Sequence, residues 1–130
     1  MAANILRVEK LLPALLLLYA AASLVHYTHN AEFLRDYPNM PSGLSRAQVY
    51  IAWIAVTAIG ACGYALWRRG RSVLGLSVMA GYAALGFDGL VHYVLAPFRD
   101  HSVTMHLIIG LEVVAAAMLL AAVGRAAIHE

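Results

Sequence analysis

The sequence predicts an all-α protein, an integral membrane antiparallel bundle of four transmembrane helices. Three observations predict it. Residues of the AVILMFWYC class make up 62% of the 130 residues and charged residues 12%, against roughly 45–50% and 25% in ordinary globular chains. Mean hydropathy is +0.74. Four stretches carry at most one formal charge each, and each is long enough for the ~20 residues that cross a bilayer. They are 11–31, 47–67, 72–98 (with Asp88) and 101–124 (with Glu112). In lipid, such segments satisfy their backbone polar groups only as helices.

Each element follows from local signals. Helices are expected near 10–30, 47–68, 72–95 and 102–125, in one domain over 1–130. The first apolar run follows Arg7 and Lys10, as a secretory signal would, but it continues past Ala20-Ala21-Ala22 to Val25. That length favours a retained helix. Tyr37-Pro38-Asn39-Met40-Pro41-Ser42-Gly43 reads as a loop. Ser45 suits the cap of the second helix. Ala96-Pro97 ends the third, because the residue before proline is pushed out of the α region. Ser102 suits the cap of the fourth. Short connections then make neighbouring helices antiparallel.

Charge sets the expected orientation. Arg7, Lys10, Arg68, Arg69, Arg71 and Arg125 fall at one end, six of the nine basic residues. By the positive-inside tendency both termini face the cytoplasm, in a multi-pass protein of the inner cell membrane. The 31–46 and 96–101 loops then face outward, and the longer one could cover whatever lies beneath it.

Leu24-Val25-His26-Tyr27 recurs as Leu90-Val91-His92-Tyr93. Two repeated helix pairs would place His26 and His92 at equivalent positions facing one another. Chance identity in so biased a chain is the competing explanation.

The polar residues carry the chemistry. His26, His29, His92, His101 and His106 all fall at the predicted outer end, with Asp88 and Glu32. His26 and His29 are three residues apart, and Asp88 and His92 four, so each pair shares a helical face. A carboxylate in a membrane segment is costly, on the order of 3 kcal/mol, and calls for a partner. Imidazole with carboxylate suits Zn, Fe, Cu or Mn. The expected metal ligands are therefore His26, His29, Asp88, His92 and His106, with Asp88 either a ligand or the acceptor that orients an imidazole. The simpler account treats them as amphipathic interfacial side chains. It suffices for His101, beside Asp100.

The leading expectation is a transition-metal site near the outer surface. Its catalytic version is an oxidase or hydrolase acting on a small lipophilic molecule, with Asp88 or Glu32 handling protons. Glu112, near the midplane, suggests a proton relay, or else a protonated side chain bonded to Tyr64, Thr57 or Tyr82. One alternative is haem with His26 and His92 as axial ligands, in a cytochrome-like redox protein. Another is an accessory subunit of a larger membrane complex or a homo-oligomer. The glycines at 60, 63, 75, 81, 86 and 89 either make room for a cofactor or permit close helix packing. Tyr50, Trp53, Thr57, Ala61 and Tyr64 form a stripe that lines a pocket or forms an interfacial belt. The chain has no phosphate loop and no basic patch for nucleic acid. Cys62, the single cysteine, excludes an internal disulfide or a cysteine metal site.

Overall fold

The computed structural model describes residues 2–129, with side chains from residue 10 onward. Arg7, used above for orientation, lies outside the residues with described side chains. The protein is a four-helix bundle built from α1 (Ala2–Glu32), α2 (Arg46–Arg68), a third segment in pieces, and α5 (Val103–His129). The third segment is α3 (Ser72–Leu85), a 3-10 turn at Asp88–Val91, and the single turn α4 (His92–Leu95). The four spans, counting Ser72–Leu95 as one, are long and apolar enough to cross a membrane. α1 packs on α2 and α5, and α3 packs on the same two, so α1 lies diagonal to α3.

The ends follow the local chemistry. Ser45 caps α2 in a full capping box: its hydroxyl accepts from the Gln48 N–H, and the Gln48 side chain accepts from the Ser45 N–H at 2.8 Å. Ser102 Oγ accepts the Met105 N–H at 3.2 Å at the start of α5. Ala96 is extended, at φ −150° and ψ 153°, immediately before Pro97.

At one end, which carries Lys10, Arg68, Arg69, Arg71 and Arg125, the core is apolar. Leu12, Leu15 and Tyr19 of α1, Leu76, Met79 and Tyr82 of α3, and Leu119 and Val123 of α5 form one cluster. Glycine brings α2 onto α3. A methyl group on Gly75 would lie 2.4 Å from the Trp67 backbone nitrogen, and one on Gly60 2.5 Å from the Tyr82 ring. These glycines serve close packing.

The other end carries the histidines, and here the third span departs from the continuous helix expected over 72–95. The Gly86 and Phe87 N–H groups bond three residues back, to Ala83 and Ala84, as the Leu90 N–H does to Phe87. Gly86 sits at the break, where a methyl group would meet Ala116 at 2.5 Å and the Tyr19 hydroxyl at 2.7 Å. A 3-10 turn advances ~120° per residue against ~100° in an α-helix, so tightening rotates whatever follows. Asp88 is consequently exposed while His92 is buried, and the two do not share the single helical face that their spacing suggested.

Candidate functional site

The break lets the third span close over a buried acid–base pair. His26, in the last two turns of α1, is 2% exposed, and Glu112, in the middle of α5, is fully buried. Their side chains bond directly, His26 Nδ1 to Glu112 Oε2. Glu112 thus pairs with a histidine rather than with Tyr64, Thr57 or Tyr82. The other ring nitrogen, Nε2, takes the Asn30 side-chain N–H at 3.2 Å. Asn30 stands four residues on from His26 and so one turn above it. An amide N–H can only donate, so the ring proton then sits on Nδ1 and is donated to the carboxylate. A half-turn of the Asn30 amide would offer its oxygen instead and suit a doubly protonated ring. Gly89 forms the lid of the pair: a methyl group there would lie 3.1 Å from His26 Cε1 and 3.3 Å from Glu112 Oε2.

Beside the pair is a cavity of about 190 Å³. Its polar wall comes from His26, Tyr27 and Asn30 of α1 with Asp88 and His92 of the third span. Its apolar wall comes from Val49 and Ala52 of α2 and from Met40 and Leu44 of the 33–45 loop. The Tyr27 hydroxyl donates to Asp88 Oδ2 at 3.0 Å, across the bundle diagonal. His26 and His92 meet edge to face, ring centroids 5.4 Å apart. The two copies of the Leu-Val-His-Tyr sequence thus bring their histidines together. Each copy also sends its tyrosine to a partner elsewhere, Tyr27 to Asp88 and Tyr93 to His106 at 2.8 Å.

The 33–45 loop roofs this cavity. Tyr37 is 3% exposed, hydrogen-bonds His29 Nδ1 at 2.8 Å, and lies against His92 with centroids 4.8 Å apart. Burial pushes its phenol above the ordinary tyrosine range, and the carboxylate of Glu112 adds to the shift. Asn39, in the left-handed region at φ 59°, donates its amide to the Leu95 carbonyl at 2.8 Å. That carbonyl lies at the end of α4, where the helix leaves acceptors free. A larger hollow, of about 890 Å³, is lined by residues of the 31–46 segment, and among the described residues no histidine reaches it. His26, His92 and Asp88 line the smaller cavity instead.

The expected site residues thus divide. His26, Asp88 and His92 line one cavity, with Glu112 behind His26. His29 is engaged by Tyr37. His106 bonds Tyr93 and stacks on Phe98 at 3.7 Å. Glu32 takes Arg46 at 3.3 Å and the Tyr50 hydroxyl at 2.9 Å, at the surface. His101 is buried within the protein rather than on its surface: it is 7% exposed, and its Nδ1–H donates to the Pro97 carbonyl at 3.1 Å. Among the described residues, no three His, Cys, Asp or Glu side chains come together as a group that could hold a metal. Both ring nitrogens of His26 are engaged, so an axial bond to a haem iron would have to displace Asn30 or Glu112. Sequence reasoning gave no site role to Asn30 or Tyr27, placed Tyr37 only in a loop that could cover what lies beneath it, and read Gly89 only as room for a cofactor or for close packing. Asn30 had a usable signal in its spacing from His26, whereas Tyr37 lies in a loop whose path no periodicity reveals. Comparison with protein-family models, with curated proteins and with solved structures finds no match.

Proposed function

We propose that this is a multi-pass protein of the inner cell membrane whose cavity binds the polar head of a small lipophilic molecule. In this reading His26 and Glu112 exchange a proton with that head. The carrying observation is the histidine–glutamate pair, both members buried, at the wall of a cavity. Removing such groups from water costs several kcal/mol per ion, and apolar side chains would fill the space as well. Lys10, Arg68, Arg69, Arg71 and Arg125, at the opposite end of the bundle, support cytoplasmic termini and a histidine end facing out.

A transition metal (Zn, Fe, Cu or Mn) taken by His92 after the cavity side chains rearrange is the second reading, since as they stand no three His, Cys, Asp or Glu side chains among the described residues are grouped to hold one. One observation favours it: His92 Nδ1 is buried with no hydrogen-bond partner. The bond from Glu112 to His26 Nδ1 also resembles the carboxylate that orients a metal-binding imidazole.

Mass spectrometry of lipid extracts and elemental analysis of the purified protein separate the two. The expected result is a stoichiometric lipophile in the wild type, lost in Ala52→Trp, which fills the cavity, and retained in Ala127→Trp, which does not. A lipophile retained in both variants, or none in the wild type, would overturn the reading. One equivalent of metal lost in His92→Ala would establish the second. Proton exchange is read with a pH-sensitive dye in weak buffer. Ligand release by the wild type should move protons, and release by Glu112→Gln should not.

A further inference from the structure

We infer that the ligand reaches the cavity sideways from the bilayer, and that it is an uncharged, oxygen-bearing single ring on a hydrocarbon tail. The inference rests on the proposed binding role and adds the ligand's class and route.

The route follows from which walls are closed. On the loop side, Tyr37 is buried against His92, Asn39 is bonded to the Leu95 carbonyl at 2.8 Å, and Met40 and Leu44 lie over the cavity. On the α2 side, the walls part. α2 packs along α3 and α1 but makes no extended contact with the 3-10 turn or α4. Gln48 on one lip and Asp88 on the other are both exposed, and both line the cavity. The opening sits where α3 stops at Leu85 and the third span rotates. A polar side chain exposed there, within a membrane span, lies where a head group would pass.

The class follows from size and lining. About 190 Å³ is enough for one ring, since an apolar cavity of about 150 Å³ takes up benzene. Among the described residues no Lys or Arg lines it, while Asp88 does, with Glu112 directly behind His26. These carboxylates disfavour phosphate and carboxylate heads by like-charge repulsion, and because Asp88 is bonded by Tyr27 and Glu112 by His26 neither is left unpaired to call for a cationic head. Tyr27, Asn30 and His92 offer hydrogen bonds on one side, and Val49, Ala52 and Met40 offer an apolar face. A flat ring with oxygens at its edge matches both walls. Binding alone is inferred, with no redox step; a ring hydroxyl would be the group that exchanges a proton with His26 and Glu112, and the benzoquinone tests the fit of the ring rather than that exchange.

Trp53 reports on occupancy, since it follows Ala52 on α2 and its indole N–H bonds Ser23 at 3.1 Å. The test is quenching of its fluorescence by a decyl-tailed benzoquinone, with the full chain in lipid nanodiscs. The expected result is a saturable quench that is absent in Trp53→Phe. Ala52→Phe, which narrows the opening, should slow association about tenfold or more, and Asn39→Ala, which loosens the roof, should leave it within about twofold. The reverse pattern, faster entry in Asn39→Ala with none of the slowing in Ala52→Phe, would overturn the side route. Preference for a decyl-tailed quaternary ammonium over the quinone would overturn the uncharged class. So would failure of the quinone to bind while a different lipophile co-purifies, and that result would leave the proton-handling cavity standing. Absence of any co-purified lipophile is instead the failure of the proposed function itself.

Discussion

The two ends of the bundle solve the same packing problem with opposite materials. At the arginine end α1, α3 and α5 interlock through Leu12, Leu15, Met79 and Leu119, and α2 is drawn in by glycines. At the histidine end the buried set includes His26, Asn30, His92, His101 and Glu112, and the third helix breaks. In lipid, van der Waals packing holds helices together, so small and apolar residues suffice. The arginine end shows that this chain can build a bundle that way. The histidine end instead joins its helices through polar side chains, His26 to Glu112 and Tyr27 to Asp88, and it is the end to which the proposed function is assigned.

Removing one half of the buried pair should expose the contrast most strongly. Glu112→Leu leaves His26 Nδ1 without a partner in an apolar interior, at a cost of about 3 kcal/mol. The double variant His26→Leu/Glu112→Leu should recover most of that stability and still fail to retain ligand. Reversible unfolding in mixed detergent measures the first, and extraction the second. If the double variant is as unstable as the single one, the pair is a structural element and the contrast between the ends collapses.

A smaller effect is expected in the apolar half. Gly75→Ala forces a methyl group to within 2.4 Å of the Trp67 backbone nitrogen, which cannot swing aside, so α2 and α3 must separate. The expected loss is about 2 kcal/mol. Gly81→Ala, on the same helix with nothing within 4 Å, should instead be neutral or stabilising by up to about 1 kcal/mol. Equal losses at the two positions would mean that the α2–α3 seam is not set by glycine.

The sequence made the bundle legible because the signals for it are long and redundant. Runs of ~20 apolar residues, Ser45 and Ser102 as caps, and Pro97 as a terminator all act locally. The site was legible only in outline. Clustering of His26, His92 and Asp88 at one end followed from topology, and the structure places all three on one cavity. Three things escaped. The break at Gly86–Val91 comes where Tyr19 and Ala116 leave no room for a side chain at Gly86, a tertiary contact absent from the local pattern. That break rotated Asp88 away from the face of His92. The partner of Glu112 could not be chosen without knowing how α1 and α5 are turned toward each other. And the burial of His101, beside Asp100, escaped because nothing local shows that it bonds the Pro97 carbonyl and packs against Tyr93.

The smallest effect concerns the 33–45 loop, where the polar end meets water. The loop is held by single bonds, Tyr37 to His29 and Asn39 to the Leu95 carbonyl, each worth about 1 kcal/mol. Asn39→Gly keeps the left-handed backbone at φ 59° and removes only the bond, whereas Asn39→Ala adds backbone strain, so Ala should loosen the loop more. Tyr37 adds a pH dependence whose sign is fixed. Burial raises its phenol above the unfolded value, so the folded loop holds that proton more tightly than the open one. Its contribution is complete below about pH 10, the ordinary tyrosine value, and declines as pH rises further. A spin label at Ser42→Cys, in a Cys62→Ser background, should become mobile above that pH. In Tyr37→Phe, the label should be somewhat looser at neutral pH and show a flatter alkaline response. A label that responds equally with and without the phenol would mean that the roof is held elsewhere, and that Tyr37 is buried only as an apolar ring against His92.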